Sequence, residues 1–310
     1  MFRYVARRIG AGVLVLWIVT TLTFFLMHAI PGGPFTADKE LPEAVMKNIN
    51  ARYHLNDPLF KQYTDYLAHL VRGDLGPSFR YTTENVNQII SRSFPVSATI
   101  GALALVLAVV LGIPAGIMAA LRQNRWQDNA AMGLTTLLIS VPSFIVATLL
   151  MYIFAYKLRW LPAALWGSPK QAVMPVIALA GFPMAFIARL VRSNMLEVMG
   201  QDYVRTAKAK GMPGYIVIYR HAVRNAILPV VTILGPLTAA ILTGSLVVEK
   251  IYAIPGLGQH FVNSIFNRDY TVIMGVTVFY AALVVLVNLL VDLAYVVVDP
   301  RIKLEGGSEA

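Results

Sequence analysis

The chain has 310 residues, 57% of them hydrophobic and 14% charged, with a mean hydropathy of +0.64 and a formal net charge of +10. Those proportions exclude an ordinary soluble domain and make lipid the solvent. With no cysteine, disulfides, thiolate metal sites and cysteine nucleophiles are excluded as well.

The first apolar run covers residues 9–30, preceded by Arg3, Arg7 and Arg8 and followed by Pro31, Gly32, Gly33 and Pro34. At 22 residues it exceeds the apolar core of a secretory signal and reads as a retained first membrane helix. Its basic flank places residue 1 in the cytoplasm by the positive-inside tendency. Residues 31–96 form the long polar stretch, with seven acidic residues balanced by seven Lys and Arg. Tyr53, Leu55, Phe60, Tyr63, Tyr66 and Leu67 recur there at near-helical spacing, so this segment is expected to fold outside the membrane with short helices.

Five further spans are expected at 97–121, 130–156, 172–192, 227–249 and 271–298. Six crossings return the C-terminus to the cytoplasm, and the Lys and Arg of Arg122, Arg125 and the stretch from Arg189 to Arg224 then fall inside. The expected organisation is a first helix with its basic tail (1–30), an extracytoplasmic segment (31–96), a five-helix core (97–298) enclosing an inner loop at 197–225, and a cytoplasmic tail (299–310). Pro114, Pro142, Pro175, Pro183, Pro229 and Pro236 lie within or beside these spans and bend their helices. Bent helices suit a transport path, although proline is common in membrane helices generally.

Sites for chemistry are scarce. The chain has no phosphate-binding Gly-rich loop ending in Lys-Ser/Thr, no His-Glu-x-x-His zinc pair and no Gly-x-Ser-x-Gly elbow. Its five histidines lack metal-ligand spacing, so no metal is expected. His28, Arg189, Glu249 and Asp292 are the ionisable residues near apolar runs; each is expected toward a helix end, Glu249 as an interface ion partner and Asp292 as an interhelical anchor. An ion-coupled carrier, an intramembrane enzyme or a lipid scaffold would need polar groups at mid-span.

The inner loop from Glu197 to Pro229 is the informative polar segment. It reads as two short basic helices, Asp202 to Lys210 and Tyr215 to Arg224, joined at Gly211, whose turn requires positive φ. Its length exceeds that of a simple connection. A dock for a cytoplasmic partner and an amphipathic stretch lying on anionic lipid both fit that shape.

At this loop Arg205-Thr206-Ala207, Gly211 and Arg220-His221-Ala222 resemble the permeases of bacterial ATP-binding-cassette importers, in their dipeptide, oligopeptide and nickel branch. Arg205 stands where the wider superfamily has glutamate, and the proline closing the motif comes later, at Pro229. Other blocks agree along nearly the whole chain: Pro31-Gly32-Gly33-Pro34, Tyr53 to Pro58, Gly73-Asp74-Leu75-Gly76-Pro77-Ser78, Gly244 to Glu249, Pro255-Gly256-Leu257-Gly258, Asn267-Arg268-Asp269-Tyr270 and Asp299-Pro300-Arg301. The Pro-Gly-Gly-Pro-Phe block and a compact connection between the third and fourth spans look closer to the B subunit of oligopeptide systems than to the dipeptide one. Pro255 to Gly258 reads as a tight extracytoplasmic turn leading into the sixth span.

The resemblance implies an all-α membrane protein with the six-helix type I importer fold. It implies a non-catalytic subunit that carries oligopeptides across a bacterial inner membrane, with dipeptides, murein peptides, nickel complexes and peptide antibiotics as the alternative cargoes in the family. The implied partners are a second homologous permease, two ATPases that bind the ATP and Mg²⁺, an extracytoplasmic peptide-binding protein, the peptide and lipid, without nucleic acid. It also implies that Arg205, Thr206, Ala207, Lys208, Gly211 and Met212 couple the chain to an ATPase.

Overall fold

The computed structural model describes residues 2–31, 33–35, 47, 51, 55–81, 83–244 and 246–298, with side chains 2–4, 243–244 and 292–298 left aside. The Tyr53-His54 half of one block, the Asp292 side chain and the 299–310 tail lie outside them. Every regular element among the described residues is helical. In chain order these are α1 (Phe2–Ala29), α2 (Leu59–Val71), α3 (Val86–Leu121), α4 (Trp126–Ser140), α5 (Ser143–Lys157), α6 (Pro169–Met199), α7 (Asp202–Ala209), α8 (214–226), α9 (Leu228–Gly244), α10 (Leu246–Ile251), α11 (Leu257–Asn267) and α12 (Tyr270–Val298).

Five helical stretches are long and apolar enough to cross a membrane, and a sixth crossing is available if α4 and α5 are one span. That pair departs from the straight helix expected at 130–156: it bends by 104°. Val141 is extended, with φ −91° and ψ 120°, because the ring of Pro142 disfavours helical backbone in the residue before it. The span expected at 97–121 begins earlier, at Val86. Val86, Ile89 and Ile90 are buried while Asn87, Gln88, Ser91 and Arg92 keep the first turns too polar to read as a span. Asn85 starts that helix: its Oδ1 accepts the Asn87 N–H and Gln88 Oε1 accepts the Asn85 N–H, a reciprocal cap.

The chain divides into two compact units. The first, Met1–Val96 with Pro255–Val285, holds two apolar clusters. One gathers Val86, Ile89, Ile90, Leu257, Val272 and Val276; the other gathers Phe24, Tyr63, Tyr270 and Met274. In this unit Pro255 to Gly258 does not lead directly into the last span. An 11-residue helix, α11, intervenes, and its amphipathic sequence buries Leu257 and Ser264 while Ile265 and Phe266 stay outside. Arg268 then reverses the chain in the left-handed region, φ 54°, and α12 begins.

The second unit, Ser97–Ile254 and from Leu286 onward, is organised around α6. Twelve of its residues are buried, and Pro175 and Pro183 lie inside it. Gly112 and Gly116 bring α3 against α6 with the spacing of a small-residue packing motif. A Cβ at Gly116 would stand 2.5 Å from the Ala188 carbonyl oxygen and 2.7 Å from Val191 Cβ. Backbone cannot yield as a flexible side chain can, so Gly116→Leu is expected to cost about 2 kcal/mol. The check is a lowered thermal midpoint of the detergent-purified protein; an unchanged midpoint would contradict this packing. The tip of the 158–168 connection is tied down where the Leu165 N–H donates to the Tyr252 carbonyl, and the Tyr252 hydroxyl donates to the Ala147 carbonyl, both at 2.8 Å.

Two ionisable residues differ from expectation. Glu249 is wholly buried and does not snorkel, because it lies with Val248 on the inward side of α10 while Val247 and Lys250 are exposed. Arg189 is not at a helix end, because α6 continues ten residues beyond it to Met199.

Candidate functional site

The inner loop is built as its sequence requires. Gln201 is extended, φ −72° and ψ 149°, and opens α7, where Asp202 in the first turn complements the positive helix N-terminus. Every third or fourth residue is apolar, so Val204 and Ala207 turn inward and pack with Val217 of α8, flanked by Val198, Met199 and Met212. Helix α7 closes with paired bonds: the Met212 N–H donates to the Ala207 carbonyl at 3.3 Å and the Gly211 N–H to the Lys208 carbonyl at 3.0 Å. This is the Schellman arrangement, which places Gly211 in the left-handed region; its φ is +74°. The apolar contact that accompanies such caps is present between Met212 and the Ala207 cluster.

Pro213 then starts α8, whose middle, Val217–Val223, has π-helical geometry. The wide turn directs both Val217 and Ala222 inward. Asn225 Nδ2 donates to the Tyr203 hydroxyl at 2.7 Å, and Asn194 Nδ2 to the Ala226 carbonyl at 3.4 Å, so α7 and α8 are tied to each other and α8 to the end of α6. The six residues singled out from the sequence divide accordingly. Arg205, Thr206, Lys208 and Gly211 are exposed, whereas Ala207 is buried and Met212 half-buried. Ala207 and Met212 therefore shape the loop from within. Arg205 and Asp202 stand 3.7 Å apart in solvent, where such a pair contributes little. Tyr215 and Tyr219, not singled out from the sequence, are exposed on the same loop one helical turn apart.

A cleft of about 450 Å³ lies between the ends of α3 and α6, lined by Ala120, Leu121, Arg122, Gln123, Arg125, Leu196, Met199 and Gly200. Beside it in sequence is an ion pair that periodicity and composition do not disclose. Arg192 Nε and Nη2 donate to the two carboxylate oxygens of Asp128 at 2.6 and 2.7 Å, and the Asn124 N–H donates to Asp128 Oδ2. Asp128 is 1% exposed, and the pair clamps α4 onto α6. Asp128→Asn removes the charge from this fork and is expected to cost about 2 kcal/mol, with Arg192→Lys milder because it keeps the cation. Thermal denaturation in detergent measures both; an Asp128→Asn protein as stable as the parent would show that the clamp contributes nothing.

A second constellation joins two blocks that are distant in sequence. Asp269 accepts from the Ser78 hydroxyl, the Phe79 and Arg80 N–H groups, the Thr271 hydroxyl and the Val272 N–H, at distances of 2.5 to 3.3 Å. It is 1% exposed and caps α12. Nearby, Asp74 accepts from the Gly76 N–H and Asn85 Nδ2, and these bonds hold its carboxyl below the usual carboxylate range. Burial, with the Arg92 cation, lowers His260 from its ordinary value. Both constellations are structural: Asp269 fixes the 78–80 turn on the start of α12, and Asp74 holds the 73–85 turn together from within.

Known proteins match this chain over most of its length. Residues 112–304 match the family described as binding-protein-dependent transport system inner membrane component, and residues 1–101 match its N-terminal membrane component. The dipeptide transport system permease protein DppB of Bacillus subtilis is 53% identical, covering 98% of this chain and 99% of its own. The oligopeptide permease proteins OppB of Escherichia coli K12 and Salmonella typhimurium are 47% and 45% identical, over 98% of this chain and 100% of theirs. Among solved structures, the inward-facing MetNI methionine ABC transporter superposes with a TM-score of 0.52 at 18% identity, over 67% of this chain and 93% of that one. An amino acid ABC transporter with histidines gives 0.51 at 17%, with the same coverage. These two likenesses concern the fold.

Proposed function

We infer the function from the premise that this chain belongs to the family of binding-protein-dependent transport system inner membrane components: it is the multi-pass permease subunit of an ATP-driven importer of peptides. The observation that supports this reading is near-complete alignment, at 45 to 53% identity, with permeases named for peptide transport. A second permease chain completes the path, two ATPases bind ATP and Mg²⁺, and an extracytoplasmic protein delivers the peptide. Both termini, the 299–310 tail and the 197–225 loop face the cytoplasm, and residues 31–96 face outward. The cargo is an oligopeptide; the 53% identity to a dipeptide permease supports dipeptides as the second reading.

In this reading the loop around Gly211 is the coupling element. Arg205, Thr206, Lys208 and the Gly211 turn present their exposed face to an ATPase, while Ala207 and Met212 hold that face in place. Closure of the ATPases on ATP moves α7, and the Asp128–Arg192 clamp passes the movement from α6 to α4, where the bend at Pro142 can change. The path thereby alternates between outward and inward opening.

Cells lacking this chain, with and without its restoration, provide the test. Uptake of a labelled dipeptide and a labelled tetrapeptide is followed while ATP and the proton gradient are depleted separately. Restoration of tetrapeptide uptake that needs ATP is the expected result, and dipeptide uptake alone selects the second reading. Uptake that follows the proton gradient and ignores ATP would identify an ion-coupled carrier and overturn the proposal.

A further inference from the structure

One face of α6 is left open by the rest of its unit. Phe182, Phe186, Arg189 and Ser193 are exposed and recur at the spacing of a single helical stripe, while Ala185, Ile187, Ala188, Val191 and Met195 between them are buried. The rings of Phe182 and Phe186 stack, with centroids 6.2 Å apart. Next along the stripe comes a guanidinium, then a hydroxyl. Lipid-facing stripes exclude such groups, because a cation inside a bilayer is expensive unless it faces protein or water.

Arg189 does not extend to the helix end to reach water. It turns onto α4, where Nε donates to Thr135 Oγ1 at 3.1 Å and Nη2 to Thr136 Oγ1. Both threonine hydroxyls spend their own hydrogens on the Met132 carbonyl, which leaves their lone pairs to receive the guanidinium. Among the described residues Arg189 has no carboxylate, since Asp128 is taken by Arg192 one turn further on. Three of its five N–H groups, including the Nη1/Nη2 edge, point away from these bonds. An edge of that kind, fixed from behind, matches a carboxylate in two parallel hydrogen bonds. Met199 marks the end of α6, about 15 Å further along at the helical rise, so the group does not lie at the helix end.

We propose that this stripe lines the translocation path and that Arg189 receives the C-terminal carboxylate of the passing peptide. The inference rests on the peptide-importer reading above. The Phe182 and Phe186 rings offer apolar contact to side chains of any sequence, and the single fixed cation reads the one charged group that every free peptide carries at its end. A site built this way recognises a peptide without selecting among sequences.

The cysteine-free chain makes the test direct. Phe186→Cys and Ser193→Cys, each in the assembled importer, are exposed to hydrophilic methanethiosulfonates, one anionic and one cationic, with the surface-exposed Trp126→Cys as control. Both positions are expected to react, the anionic reagent about tenfold faster than the cationic one at Ser193→Cys, and Arg189→Gln should abolish that preference. A tetrapeptide with a free C-terminus should protect both positions; its C-terminal amide should not. In transport, Arg189→Gln is expected to reduce uptake of the free acid about tenfold while sparing the amide, a ratio from which the binding protein's own preference cancels, and Arg189→Lys should retain part of the discrimination. Silence of both cysteines while the control reacts, or equal protection by acid and amide, overturns the assignment. Equal loss of both peptides in Arg189→Gln does the same. If the unsubstituted importer carries neither peptide, the peptide reading itself fails.

Discussion

Gly211→Val is expected to leave the chain in the membrane at its normal level and to lower ATP-driven uptake at least about tenfold. A Cβ at Gly211 would meet no atom within 4 Å, so the substitution does not crowd the protein. The damage is to the backbone. At φ +74° a side chain costs about 1 to 2 kcal/mol, more when it branches at Cβ, and the chain escapes that cost by leaving the left-handed region. The two bonds that close α7 then open, Met212 leaves the Val204–Ala207–Val217 cluster, and the face bearing Arg205 and Lys208 loses its fixed direction. Gly211→Asn is the matched control, because asparagine tolerates this region, and it should keep most of the activity. Co-purification of the ATPases with each variant, alongside peptide uptake, separates lost docking from lost folding. Normal uptake by a well-expressed Gly211→Val protein would remove the loop from the coupling path.

Asp269→Ala should have the largest effect on stability, about 4 kcal/mol, seen as a lower thermal midpoint and faster proteolysis of the 55–96 segment. Its carboxylate gathers donors from the 78–80 turn and from the first turn of α12 in a place water does not reach. Alanine takes this acceptor from the Ser78 hydroxyl and from the Phe79 and Val272 N–H groups, and each such loss costs about 1 to 3 kcal/mol, though not additively. Asp269→Asn keeps an oxygen for the cap and should lose about half as much. Ser78→Ala should fall between, because the hydroxyl also accepts the Arg80 and Tyr81 N–H groups. An Asp269→Ala protein with an unshifted midpoint would show that the turn is held by its apolar contacts alone.

Much of this protein is legible before it folds, because the properties concerned are local. Runs of apolar residues long enough to span a bilayer announce the membrane helices whatever they pack against. A glycine after a basic amphipathic helix, followed by proline, announces the capped turn at Gly211, and the positive φ there is the one expected. Binding to named partners was legible only through resemblance, since Arg205 and Lys208 alone also fit a surface lying on anionic lipid.

What the tertiary structure decided depends on residues far apart. Hydropathy over 130–156 is continuous, so the 104° break at Pro142 leaves no trace in a sliding average. Helix α11 is short and amphipathic, and only the neighbours it packs against, such as Val86 and Val272, tell it from a turn. Asp128 and Arg192 are 64 positions apart, and Ser78 and Asp269 are 191. Arg189 resembles a snorkelling end residue until α6 is seen to continue past it and Thr135 and Thr136 are found beneath it. Periodicity and composition report how each segment meets its solvent; which polar groups meet one another is settled by the cost of burying them unpaired, and that cost arises only once the helices have packed.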